Sequence, residues 1–247
     1  MSRRTSWHGR SALKDAVLAE LAAIEREGVL RPLVIDGEEV DLPGSPRSWD
    51  PVRLRYALGL PADLLALGLW LFQGFPEDEE RTRRHVRRMT RFLEALPVGV
   101  DLRSVAGELV AWRFEDPEVG LARRLHDDLR VLRLVEAVAA ACRNGVDMEE
   151  LRAPIEALRA EYAAELQARF REPGSLVDEA LYIHERALAT AARACDLGRH
   201  PERVASLYEE SVYGRQMAGD PSPSAVDDAA RAKLLERVAA AGGGPDR

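Results

Sequence analysis

The sequence predicts an all-α protein, either a single helical bundle or an irregular helical array of eight to nine helices. Three observations predict this fold class. Alanine, leucine, glutamate and arginine dominate the composition, and these side chains lose little conformational freedom in a helix. Apolar residues recur at spacings of three and four, which is the period of one helix face. Capping residues or prolines begin these segments and glycines often end them, as at helix termini.

A helix and a small hairpin account for the N-terminal region. The helix is predicted from Ser11 to Gly28. Its apolar face consists of Leu13, Val17, Leu21 and Ile24. Residues 33–42 hold two short apolar runs around Asp36-Gly37, a pair suited to a type I′ turn, and so predict a β-hairpin. Residues 43–51 are rich in proline, glycine and serine and predict a linker.

Helical punctuation continues along the rest of the chain. Prolines stand in the first turns of three predicted helices, the last of which covers 77–96 and is acidic first and basic later, as the helix dipole favours. Later helices are predicted over 102–114, over 117–143 without interruption, from Pro154 onward, over 175–197 and 201–217, and after Ser224. With no obvious boundary, we expect one helical domain over 11–241, an N-terminal tail at 1–10 and a flexible C-terminal tail at 242–247.

Charge and cysteine content narrow the class of protein. The formal net charge of −7 argues against general affinity for nucleic acid, which depends on neutralising phosphates. Cys142 and Cys195 fall within helical patterns and are expected to be small buried thiols in a reducing compartment. The N-terminus lacks the apolar stretch of a secretory signal, and the apolar segment 60–75 is interrupted and too short to cross a bilayer. We therefore expect a cytoplasmic protein that does not enter a membrane.

Residues 60–121 carry a distinctive succession of motifs. The most specific, at 92–102, reads Phe-Leu-Glu-Ala-Leu-Pro-Val-Gly-Val-Asp-Leu. The succession resembles an uncharacterised group of bacterial Ala-rich helical proteins, which implies a helical fold and carries over no known function. The motif also has a physical interpretation, because Pro97 and Gly99 suit a turn and Asp101 can cap the next helix. Such a motif would fix the angle between two helices.

His126-Asp127 is the strongest enzyme-like signal. It resembles the metal-dependent phosphohydrolases of the His-Asp type, whose ligand set would here include His85 first and Asp178 or Asp196 last. A divalent metal held by such ligands lowers the pKa of bound water and produces a nucleophile. The alternative is a solvated polar face of a continuous helix, with the leucines turned inward. Those leucines are Leu125, Leu129 and Leu132.

An arginine face on helix 77–96 is the second candidate. Its members, at spacings of three and four, are Arg84, Arg87, Arg88 and Arg91. Three interpretations remain open for it: a solvated or intramolecularly paired surface, a site for an acidic protein, and a helix that enters a nucleic-acid groove.

These patterns favour a non-catalytic helical protein that acts through protein–protein interaction, as an adaptor or an immunity-type partner. We expect no catalytic residue, no cofactor and no metal ligand, and a partner that is another protein or a second copy of the chain. The first alternative is the metal-dependent phosphohydrolase centred on His126-Asp127. The second is nucleic-acid binding through the arginine face.

Overall fold

Nine α-helices and one two-stranded antiparallel sheet form the part of the chain that the computed structural model describes. That part comprises residues 5–43, 51–72, 78–125, 127–171, 179–200 and 223–243. The helices are α1 Ser11–Glu27, α2 Pro51–Leu58, α3 Ala62–Phe72, α4 Glu79–Ala95, α5 Arg103–Glu115, α6 Leu129–Asn144, α7 Glu149–Phe170, α8 Glu179–Ala194 and α9 Pro223–Gly242. The predicted all-α fold is confirmed. The helix predicted over 201–217 lies outside the described residues, as do His126, Asp178 and the tail beyond residue 243.

The predicted hairpin is also confirmed. Strand β1 (Leu33–Ile35) pairs antiparallel with β2 (Glu38–Val40), and Leu33 lies opposite Val40. The turn between them places Asp36 at φ +51° and Gly37 at φ +87°. Both central residues of a type I′ turn need positive φ, and this requirement explains why Asp-Gly predicted the hairpin.

The chain separates into two compact units, where the sequence suggested one helical domain. Unit 1 comprises Met1–Ala106 and Arg231–Arg247, and unit 2 comprises Gly107–Ala230. The core of unit 1 includes the buried apolar faces of α1, α3 and α4, whereas in unit 2 α8 packs on both α6 and α7. Each unit therefore has its own core.

Helix α3 is buried along most of its length in unit 1. Five of its leucines are buried: Leu64, Leu65, Leu67, Leu69 and Leu71. Gly68 lies directly against Phe92 of α4, since a Cβ built on Gly68 would be 2.1 Å from Phe92 Cζ. The Phe92 ring also stacks on Phe72, with 5.6 Å between centroids. The absence of a side chain at Gly68 therefore allows α3 and α4 to pack around these rings.

No single helix in the described ranges is both long enough and apolar enough to span a bilayer. The segment Val52–Leu58 and α3 meet the length and composition criteria only together, and they are bent by 108° at the break between them.

The predicted N-terminal tail is folded against unit 1 from residue 5 onward, and it forms the short 3-10 element Ser6–Gly9. Trp7 is 0% exposed, and its indole Nε1 donates to the Leu96 carbonyl at 3.2 Å. Trp7 and His8 have φ of +56° and +49°, a left-handed conformation that costs a side-chain-bearing residue roughly 1–2 kcal/mol. Sequence periodicity could not reveal this docking, because the partner turn lies about ninety positions further along the chain.

The Asp101 cap forms as predicted. Asp101 Oδ1 accepts the backbone N–H of Arg103 at 3.1 Å, where α5 begins. The preceding turn places Gly99 at φ +77°. In unit 2, by contrast, α7 already begins at Glu149 and includes Pro154, so the helix start predicted at that proline was wrong. Asp147 supports the earlier start because its carboxylate accepts the Glu149 N–H at 3.1 Å.

Candidate interaction site

The arginine face follows from the amphipathic pattern of α4. The inward stripe predicted from the sequence is buried throughout: Val86, Met89, Phe92, Leu93 and Leu96. Asp78 caps the helix, with its carboxylate accepting the Arg81 N–H at 2.7 Å. Since apolar side chains occupy the inner side, the arginines lie on the outer side.

The arginines nearest α1 are held by that helix. Arg83 donates through Nε to the Glu25 carbonyl at 3.2 Å and through a terminal nitrogen to the Arg26 carbonyl at 3.3 Å. Arg87 Nε donates to Glu25 Oε1 at 2.8 Å. Cations near a helix C-terminus interact favourably with its dipole, so Arg83 stabilises the end of α1. Arg87, which the sequence grouped with the arginine face, therefore serves as a contact between α1 and α4.

Of the arginine face predicted from the sequence, Arg84, Arg88 and Arg91 remain, and we call these three the arginine stripe. Arg84 pairs with Glu80 at 2.7 Å, but the Glu80 side chain is 82% exposed. Arg88 and Arg91 are exposed, and neither makes an ion pair with any residue that the structure describes. Exposed pairs such as Arg84–Glu80 contribute only about 0.2–1 kcal/mol. The stripe can therefore exchange its intramolecular contact for an external carboxylate at little cost.

His85 lies beneath the stripe and is 1% exposed. Its Nε2 is 2.8 Å from the Pro43 carbonyl, which can only accept, so this nitrogen carries a proton. Burial lowers the pKa of His85; the bond to Pro43 opposes that shift, and the charge of Arg88 adds to it. His85 is thus a neutral core histidine in unit 1.

Asp127, which the sequence suggested as a metal ligand of the phosphohydrolase type, lies in unit 2. Its Oδ1 is 3.0 Å from Nε2 of His184, a buried residue of α8, and the Tyr162 ring lies edge-on to the imidazole with 5.4 Å between centroids. The Tyr162 hydroxyl donates to Asp128. We call Asp127, Asp128, Tyr162 and His184 the polar cluster. It connects the segment before α6 to α7 and α8.

The sequence predicted a continuous helix over 117–143, and this prediction was wrong. A separate helix, α6, begins directly after Asp128. Asp128 accepts the backbone N–H groups of Arg130 and Val131 and caps α6, so Leu129 is 58% exposed instead of inward. Burial by itself would raise the pKa of the Asp128 carboxyl, but hydrogen bonds from Tyr162, Arg130 and Val131 together lower it to about 2. Burial, together with the bond to Asp128, raises the pKa of Tyr162 to about 12.

The phosphohydrolase ligand set is only partly described. His85 belongs to unit 1 and Asp127 to unit 2. Asp196 is buried and pairs with Arg152 at 2.5 Å. Within the described ranges, no group of three or more histidine, cysteine, aspartate or glutamate side chains is placed to share a metal ion. Sequence reasoning missed the roles of Tyr162 and His184, because each occupies an ordinary apolar helix pattern and meets Asp127-Asp128 only through tertiary packing.

The chain matches no protein-family model, no curated protein and no solved structure.

Proposed function

We propose that this chain is a non-catalytic binding protein that uses the arginine stripe to engage an acidic segment of another protein. The observation that carries the proposal is the division of the α4 arginines. Arg83 and Arg87 are anchored to α1, whereas Arg88 and Arg91 are exposed and unpaired among the described residues. Local positive charge on a chain of net charge −7 favours an acidic partner. An adaptor or an immunity-type protein in the cytoplasm would use such a surface.

The stripe also has the geometry of a helix-presented surface. Arg84, Arg88 and Arg91 are separated by four and three residues, so their side chains follow one side of α4. The helix itself is held by its packing on α1 and α3. A rigid support limits the entropy that binding must remove, which improves affinity for a given set of contacts.

Fluorescence anisotropy with a labelled oligoglutamate peptide tests the proposal. The double variant Arg88→Glu/Arg91→Glu should weaken binding about 5- to 30-fold, since reversing two exposed charges changes the interaction by roughly 1–2 kcal/mol. Glu80→Gln should strengthen binding, because it releases Arg84. Both effects should diminish at high salt.

The matched control is Arg133→Glu/Arg171→Glu, which changes the net charge equally on exposed arginines of unit 2. Equal weakening by the two double variants would show that the peptide senses only overall charge and would overturn the proposal. The same assay with duplex DNA distinguishes the nucleic-acid alternative. If the chain binds DNA more tightly than oligoglutamate, and if Arg88→Glu/Arg91→Glu abolishes this binding, the ligand of the stripe is nucleic acid and not an acidic protein.

A further inference from the structure

The N-terminal strap, which we define as residues 5–10, occupies a groove of unit 1 much as a bound peptide would. The groove lies between the end of α2 and the turn at 96–100. The Ser6 N–H donates to the Val100 carbonyl, and the Ser6 carbonyl accepts from the Gly99 N–H, each at 3.0 Å. The Ser6 hydroxyl also donates to the Pro97 carbonyl. Main-chain bonds of this kind hold a segment whatever its side chains are.

Trp7 anchors the strap. It is fully buried, and the Lys14 ammonium lies 6.0 Å from its ring centroid, close enough for a cation–π interaction. His8 and Arg10 on its C-terminal side are exposed. One buried aromatic anchor beside exposed residues is typical of peptides that bind through a single hot spot.

The groove accommodates a backbone because a glycine lines it. A Cβ on Gly59 would be 2.6 Å from the Thr5 carbonyl oxygen and 3.1 Å from the His8 nitrogen. The His8 side chain also bonds to this wall, with Nε2 2.8 Å from the Tyr56 carbonyl. The wall is therefore shaped for a main chain at this position.

The connection of the strap to α1 strains the backbone. Trp7 and His8 both adopt left-handed conformations immediately before Gly9, which has φ +73°. The chain enters α1 at Ser11 directly after this turn. A separate peptide has no helix to join, so it could present a tryptophan to the same groove without the strained turn.

We propose that the strap is an exchangeable occupant, and that the groove between α2 and the 96–100 turn binds a short peptide segment carrying tryptophan when the strap leaves. This site is distinct from the arginine stripe, and its recognition is apolar and main-chain where that of the stripe is electrostatic. The two sites can consequently be tested separately.

The test uses the full chain with Trp7→Gly, which removes the anchor, and a synthetic peptide with the sequence of residues 1–10. The apparent affinity for the peptide scales with the fraction of molecules whose groove is open. If the strap closes the groove in at least about nine molecules of ten, the wild-type chain should bind the peptide at least about tenfold more weakly than the variant. The same peptide with alanine in place of tryptophan should not bind. No binding to a folded Trp7→Gly chain, or equal binding of both peptides, would overturn the proposal.

Hydrogen exchange on the wild-type chain decides the matter if Trp7→Gly does not fold. The Ser6 amide, bonded to Val100, should exchange through local opening of the strap, at least about tenfold faster than amides in the middle of α4. Its rate should also be insensitive to low denaturant. A Ser6 amide that exchanges only together with the α4 amides would show that the strap opens by global unfolding alone, and the proposal would be wrong.

Discussion

Replacing Gly68 by alanine should destabilise unit 1, although alanine is the better helix former. An added Cβ would lie 2.1, 2.4 and 2.6 Å from three ring atoms of Phe92, whereas carbon atoms in good contact are about 3.5–4.0 Å apart. The ring would have to move by more than about 1 Å. It is fully buried and stacked on Phe72, so it has little room. Overpacking of this kind costs about 1–3 kcal/mol, and the clash here belongs near the upper end. The higher helix propensity of alanine offsets about 1 kcal/mol of this, so the free energy of unfolding should fall by roughly 2 kcal/mol.

Urea denaturation followed by circular dichroism measures this loss directly, and a double-mutant cycle with Phe92→Leu identifies its cause. Phe92→Leu alone should destabilise by leaving a cavity. In the Gly68→Ala background the smaller side chain makes room for the new methyl group, so the two changes should be non-additive by at least about 1 kcal/mol. Strict additivity, or a Gly68→Ala chain as stable as the wild type, would refute the close approach of α3 and α4 at this point.

Three further results are expected. Asp101→Ala should lower the free energy of unfolding by about 0.5–2 kcal/mol, because α5 loses a cap; an unchanged denaturation midpoint would contradict this. The folded-state pKa of Asp128, about 2, lies below its ordinary value of 3.8, so its contribution to stability is complete above pH 3.8 and is lost as the pH falls toward 2. Acid titrations should show this loss in the wild type and a weaker one in Tyr162→Phe. Burial lowers the pKa of His85 below 6.5, so the unfolded chain takes up a proton at this residue first, and the free energy of unfolding should fall as the pH decreases below that value. His85→Gln should make this dependence on pH less steep. An equally steep dependence would argue against the buried neutral imidazole.

Local sequence signals predicted those parts of the fold that are determined locally. Asp36-Gly37 gave the hairpin because its turn requires positive φ at adjacent residues, and Asp101 gave the start of α5 because its carboxylate binds an amide two positions away. The apolar period of α4 likewise identified which side is buried. Each of these features depends on residues within one or two helical turns.

Features that depend on distant residues were missed. Glu25 pairs with Arg87 across 62 positions, so the sequence could suggest pairing only with the neighbouring acids of α4. His184 meets Asp127 across 57 positions. Asp128 was overlooked as a cap for a different reason: the apolar spacing continues through it, although its carboxylate accepts the amides of Arg130 and Val131, which are only two and three positions away.

The two cysteines allow the opening of unit 2 to be measured by thiol labelling. Both thiols are free and buried, and burial raises the pKa of Cys142 to about 12 and that of Cys195 to about 11. Since alkylating reagents attack the thiolate, the folded protein should be nearly inert toward them. Labelling would then proceed at the rate at which unit 2 exposes these positions, and a mass spectrometer could time that exposure in the unmodified chain. Events confined to unit 1, including any exchange of the strap, would leave this labelling rate unchanged.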